Sequence, residues 1–195
     1  GSVELGSGDS VMNHAGDIAV RVGRSGSGQG ASLTVAGGQS HDAHGGDISI
    51  VSGASSGNHR SFDSSGHIVV ETFSATDFAH SGDIASRTGT TNHGESGAIT
   101  LTTGVSANSK GGSVAAMVGS SGSGRGGEVM LQSGSDSAVA AQGGQVVVTT
   151  GSGAESGPMV LLTGLGEDAS GNVQMATGDA GARSGAVQIA TGNAN

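Results

Sequence analysis

The feature that most constrains this chain is a short phrase that recurs along its whole length, seen most clearly in Gly144-Gln-Val-Val-Val-Thr-Thr-Gly151. The phrase consists of a small anchor residue, apolar residues two and four positions later, and a Gly seven positions later. Thirteen copies follow this pattern, apart from Ser86 at one fourth position and Phe73 at one seventh position, at intervals of 13 to 20 residues and most often 15. Their anchors are Gly1, Gly16, Ala31, Gly46, Gly66, Gly82, Gly97, Gly112, Gly127, Gly144, Gly157, Gly171 and Gly185. A near-constant period is typical of repeat proteins in which each unit completes the core of its neighbour.

The alternation of apolar residues within each copy predicts a β-strand with one buried face. The second position is apolar in all 13 copies, and the seventh is Gly in every copy except the one that has Phe73. Gly and Ser fill the segments between copies, where a coil must reverse direction. We therefore expect an all-β fold, a parallel β-solenoid (β-helix) of about 13 coils with a period of about 15 residues and no helix. Residues 1–195 would form one domain, with an irregular longer coil at about 54–81.

Composition limits the alternatives. Only 33% of the residues are hydrophobic and 40 are Gly, a composition that also occurs in disordered chains, although the regular apolar register argues against disorder. The net charge of −9, with only 7 Lys and Arg, makes nucleic acid a poor partner. No apolar run approaches the roughly 20 residues of a membrane span. The chain has no Cys, so neither disulfides nor thiolate metal sites are expected.

Histidines supply the main candidates for a metal site. The phrase His-x-Gly-Asp occurs three times, and its terminal residues are His14 and Asp17, His44 and Asp47, and His80 and Asp83. Imidazole and carboxylate groups are ligands for zinc or copper. The copies between these phrases lack the His, so in a stack they would stand roughly 10 Å apart, too far to share one ion. A hydrogen bond or ion pair at a corner is the favoured interpretation, and we expect no cofactor.

Catalytic signatures are missing from the sequence. Nothing resembles a nucleophile on a strand-to-helix elbow, and no Gly-rich segment continues into the Gly-Lys-Ser/Thr of a phosphate-binding loop. The Gly-Gly-x-Gly-x-Asp nonapeptide of calcium-binding solenoids does not fit a period of about 15. We therefore expect a protein that is not an enzyme.

Two features predict self-association. An apolar patch stands in the outward-facing columns of the predicted strands, and it consists of Met117, Met130, Val147, Val160 and Leu162. The strand pattern also runs close to both termini, from Val3 to Ile189, which predicts open solenoid ends that add end to end. Strands that are apolar on both faces are usually covered on both.

Two groups of proteins resemble this chain. Phrases such as Ser96-Gly-Ala-Ile-Thr-Leu-Thr-Thr-Gly104 resemble Gly/Ser-rich repeats of secreted or surface proteins of microalgae such as diatoms, which implies an extracellular, structural or adhesive role. Short coils of small residues are also similar to hyperactive ice-binding β-solenoids, which present outward Thr in successive coils. Here only Thr100 and Thr102 form that pair, and Arg and Glu interrupt the same columns.

These observations together predict a non-enzymatic structural protein, a unit of an extracellular or cell-surface fibre, coat or adhesive that binds copies of itself. An ice-binding solenoid is the alternative, and a carbohydrate- or ion-binding solenoid is the second. A polysaccharide or an ice surface would then be the partner.

Overall fold

The computed structural model describes residues 1–12, 14–55, 64–76, 79–136 and 142–193. These residues contain no helix and no β-strand, and none of them is buried. The predicted parallel β-solenoid is therefore wrong, because a solenoid needs paired strands around a closed core. Without strands in the described ranges, the open solenoid ends that were predicted to add end to end are not seen.

The backbone hydrogen bonds among the described residues lie in the return loops. A return loop is defined as the residues from the seventh position of one copy to the anchor of the next. Three of these loops are closed by a backbone hydrogen bond in which the anchor N–H donates to the carbonyl of the seventh-position Gly. The bonds run from Gly46 to Gly38 at 2.8 Å, from Gly66 to Gly53 at 2.9 Å, and from Gly144 to Gly134 at 2.8 Å. The repeated phrase thus marks both ends of each of these loops.

The same junction is close in other copies, where the sixth-position side chain approaches the next anchor. A Cβ built on Gly97 would lie 3.4 Å from Cγ2 of Thr88, and one built on Gly112 would lie 3.2 Å from Cβ of Thr103. The hydroxyl of Thr103 also donates to the carbonyl of Gly112 at 3.5 Å. A larger anchor would crowd the junction at Gly112, whereas the contact at Gly97 is an ordinary van der Waals distance.

Within the return loops the backbone bends at a constant place, ten to twelve positions after the anchor. In the regular copies the bends lie at 11–12, 26–28, 41–43, 92–94, 107–109 and 122–124. A hydroxyl at the ninth position opens several of them. The Oγ of Ser25 accepts from Gly28 N–H at 3.0 Å, the Oγ of Ser40 from Ala43 N–H at 3.0 Å, and the Oγ1 of Thr91 from Gly94 N–H at 3.1 Å.

The fourth hydroxyl of this kind belongs to the loop with the one positive-φ glycine in the described residues. The hydroxyl of Ser121 donates to the carbonyl of Ser123 at 2.8 Å, and Gly124 has a φ of 93°. That region of φ is costly for residues with a Cβ, so Gly is required at this position. Side chains that bond to the backbone two or three residues away are typical of such turns.

The solenoid prediction failed because the observed contacts have a different geometry from that of stacked coils. In a parallel stack, equivalent positions of successive coils lie side by side about 4.8 Å apart. Here the closing bonds join the end of one copy to the start of the next, as between Gly38 and Gly46. The loops offer Gly, Ser and Ala where a sandwich or solenoid would need a second apolar layer. The alternation therefore gives each copy an apolar face, and nothing in the part of the chain that the structure describes covers it.

The irregular segment predicted at about 54–81 lies partly outside the described residues, and Phe62 and Phe78 are among those left out. Phe73, which replaces the usual seventh-position Gly, is 96% exposed. The described part of the segment includes a backbone hydrogen bond from Ala79 N–H to the Thr76 carbonyl at 3.3 Å. The chain separates into two units, Gly1–Ile99 and Thr100–Asn195, so a single domain over 1–195 stays a prediction.

Candidate self-association surface

The apolar segments, defined as the first five residues after each anchor, hold the candidate surface. Second-position side chains are about half exposed, from 48% at Ile18 to 63% at Val114, apart from Val3 at 101%. The large fourth-position side chains are 64–87% exposed. The second position is the more covered of the two because it stands nearer the junction where the previous segment ends. Neither position is buried. The second and fourth positions were predicted to face inward, but they form no core in the described residues.

The apolar patch predicted from the outward columns is also accessible. Its five side chains are Met117, Met130, Val147, Val160 and Leu162, and they are 64–88% exposed. All five belong to the unit Thr100–Asn195. In the copy that begins at Gly157, four consecutive residues from Met159 to Leu162 are apolar and at least half exposed. The segments of this unit therefore expose apolar side chains at the third and fifth positions as well as at the second and fourth.

The histidine and aspartate candidates do not form a metal centre in the described residues. His14, Asp17, His44, Asp47, His80 and Asp83 all lie exposed. Throughout the described ranges, no group of three or more His, Asp or Glu side chains is placed so that it could hold a metal ion. The phrase His-x-Gly-Asp instead spans the end of a return loop, as in the loop that Gly38 and Gly46 close.

The residues that sequence reasoning missed are the ninth-position hydroxyls. Their signal was present, because this position recurs with a strict period of 15 in two runs. The first run is Ser10, Ser25, Ser40 and Ser55, and the second is Thr91, Ser106, Ser121 and Asp136. Hydroxyl and carboxylate groups at the start of a bend are the residues that bond to nearby backbone N–H groups. The short copies near the end of the chain have Gly153, Gly166 and Ala180 at this position instead.

No pocket is found in the described part of the chain. Among the same residues there is no helix that could cross a lipid bilayer. The chain matches no protein-family model, no curated protein and no solved structure.

Proposed function

We propose that this chain is a non-enzymatic structural protein that self-associates through its apolar segments, as a unit of an extracellular fibre, coat or adhesive. The apolar patch of Met117, Met130, Val147, Val160 and Leu162 is the first contact between copies. The observation that carries the proposal is the exposure of every large apolar side chain in the described residues, although these side chains follow one another in a regular register.

The exposed area gives this observation its scale. The chain has an accessible surface of 20328 Å² for a mass of 18.4 kDa. A folded globular monomer of this mass exposes about 8,200 Å², and its fully extended chain about 27,000 Å². The excess over a globular monomer is many times the roughly 800 Å² per partner that a standard protein interface buries. Large exposed apolar patches mark sites of association.

A second copy of the chain is the partner that fits this surface. Ten large side chains occupy the second and fourth positions of the five copies that begin at Gly127, Gly144, Gly157, Gly171 and Gly185. If complete burial of such a side chain removes about 60–120 Å², and the ten are 51–87% exposed, together they present roughly 400–800 Å². The upper end of that range matches the roughly 800 Å² that each side of a standard interface buries. A second copy presents the same segments at the same spacing.

Self-association can be tested with a charge-neutral double variant. Val160→Lys with Leu162→Glu places two charges on the apolar patch and leaves the net charge of the chain unchanged. We expect the concentration at half-association, measured by analytical ultracentrifugation, to rise at least tenfold, because charged side chains are costly to bury in a contact. The far-ultraviolet circular dichroism of the dilute monomer should not change.

The matched control is Gln174→Lys with Ala176→Glu, which puts the same charges at the same third and fifth positions of the next copy. These two side chains lie outside the apolar patch, so association should change less than threefold. Equal weakening by both variants would show that the patch is not the contact. A wild-type chain that stays monomeric at all accessible concentrations would refute self-association itself.

Ice binding and carbohydrate binding have no comparable support. Both alternatives required a solenoid, and ice binding also required the flat face of a sheet. The described residues contain no strand, and Thr100 and Thr102 remain an isolated pair.

A further inference from the structure

Histidines are confined to one part of the chain. All seven lie between residues 14 and 93, within the unit Gly1–Ile99, and the unit Thr100–Asn195 has none. The described histidines are His14, His41, His44, His67, His80 and His93, and His59 lies outside the described residues. Each of the six is exposed, so water reaches its imidazole ring without any rearrangement of the backbone.

Because the histidines all lie in this unit, their protonation would change the net charge of this unit alone. Residues 1–99 contain ten acidic and four basic side chains, a net charge of −6 with neutral histidines. Seven protonated histidines would change that to +1, and would change the whole chain from −9 to −2. Residues 100–195, with six acidic and three basic side chains, would stay at −3. Few other changes near neutral pH could alter the net charge so much.

Carboxylates are the charged neighbours of these histidines along the chain. Those within three residues of a described histidine are the exposed Asp17, Asp42, Asp47, Asp83 and Glu95, and Asp77, which lies outside the described residues. Nothing buries any of the six imidazole rings, so no packed element adds a further charge beside them. The charged side chains nearest to the described histidines along the chain are therefore carboxylates.

We propose that acid switches on the self-association of this protein through these histidines, an inference that rests on the self-association proposed above. At pH 7.5 two copies each carry about nine negative charges, and association brings these like charges together. Histidine side chains change charge between about pH 5 and 8, whereas carboxylates stay ionised down to about pH 4. Proton uptake therefore lowers the repulsion, the associated state binds more protons than the monomer, and association strengthens as the pH falls from 7.5 to 5.5.

The experiment compares association at pH 7.5 and pH 5.5 at one low ionic strength, because salt screens exposed charges. We expect the concentration at half-association of the wild-type chain to fall at least tenfold at pH 5.5. A sixfold variant with Gln in place of His14, His41, His44, His67, His80 and His93 would retain a net charge of about −8 at pH 5.5. Its association should change less than threefold between the two pH values.

A second sixfold variant, with Arg at the same six positions, fixes the positive charge at both pH values. It should associate at pH 7.5 about as strongly as the wild type does at pH 5.5. Equal pH dependence of the Gln variant and the wild type would overturn the histidine switch, since titrating carboxylates would then explain it. If association of the wild-type chain did not depend on pH, the histidine switch would be overturned, but the proposed structural function would not. Absence of association at both pH values would refute the proposed function.

Discussion

The return loops and the apolar segments of this chain differ in the interactions that their residues make. Every hydrogen bond described above lies within a return loop or closes one, as in the pairs Gly38 with Gly46 and Ser25 with Gly28. The apolar segments contain the large hydrophobic side chains, and these stay at least about half exposed. The comparison shows that several return loops are held by local hydrogen bonds, whereas the apolar side chains need a surface that one copy does not supply.

Local bonds and distant burial differ in the entropy they must offset. Closing a loop of about ten residues orders only a short stretch of chain. The closing bond and the hydroxyl bond at the bend offset part of that entropy loss within the same loop. Burying an apolar segment in a single chain requires several copies to be ordered at once, each at about 1–2 kcal/mol per residue. The return loops are rich in Gly, Ser and Ala and contain few large apolar side chains, such as Val11 and Leu165, so they contribute little apolar area against that cost.

Of the loop variants compared below, Gly37→Ala should have the largest effect. A Cβ on Gly37 would overlap the carbonyl oxygen of Gly46, so the junction must open. We expect the hydrogen bond from Gly46 N–H to the Gly38 carbonyl to be lost, seen as a larger temperature coefficient of the Gly46 amide in NMR spectra. Self-association should change less than threefold, because the apolar segments are untouched.

Gly38→Ala is the matched control for that variant. A Cβ on Gly38 meets nothing within 4 Å, so the closing bond should survive. If both substitutions change the Gly46 amide equally, steric contact at Gly37 is not what the junction depends on. A loss of association in Gly37→Ala as large as in the patch variant would show that loops and segments are not independent.

A smaller effect is expected from Ser25→Ala, which removes the hydroxyl that accepts from Gly28 N–H. An exposed hydrogen bond of this kind contributes about 0.5 kcal/mol, so the bend should be populated less, not abolished. The Gly28 amide should shift in NMR spectra and exchange with solvent faster. Ser27→Ala, two residues from Ser25 in the same bend, should leave the solvent exchange of the Gly28 amide nearly unchanged. The opposite ranking would show that the ninth-position hydroxyl is not the cap.

The smallest expected effect is that of zinc. Stoichiometric zinc should shift the NMR signals of His44 no more than those of His67, a histidine that has no Asp three residues later. The reason is that the described His, Asp and Glu side chains are not gathered into a ligand set. A selective shift at His44 that is lost in Asp47→Ala would identify a metal site at the phrase His-x-Gly-Asp.

The boundaries of the return loops could be predicted from the sequence. Whether the apolar segments form strands and become buried could not. Anchor residues such as Gly46 and seventh-position residues such as Gly38 were recognised as corners, and the structure places the closing bonds there. The bends of the regular copies lie in the Ser- and Gly-rich stretches where turns were expected. Turn chemistry is local, so a few residues are enough to predict it.

The sheet could not be predicted in the same way. Alternation at Ile99 and Leu101 indicates which side chains share a face, but strand formation depends on what packs against that face. No single copy contains that information. The self-association surface has the same limit: its residues are exposed, but so are the positions predicted to face inward, and both the surface and its partner remain proposals. The ninth-position hydroxyls were missed because the search followed apolar residues, although Ser10, Ser25, Ser40 and Ser55 repeat every 15 residues.

The closing bonds between neighbouring copies have a consequence for how long such a protein can be. Each bond joins a seventh-position Gly to the anchor that comes next, and any other anchor could supply the same N–H group. Removing Gly82 through Ser96 would bring Gly97 to the place of Gly82 beside Thr72, a glycine replacing a glycine. Whole copies can therefore be gained or lost by duplication or deletion of 15 codons without redesign of the junctions. Length becomes a quantity that recombination can adjust, independently of the sequence within each copy.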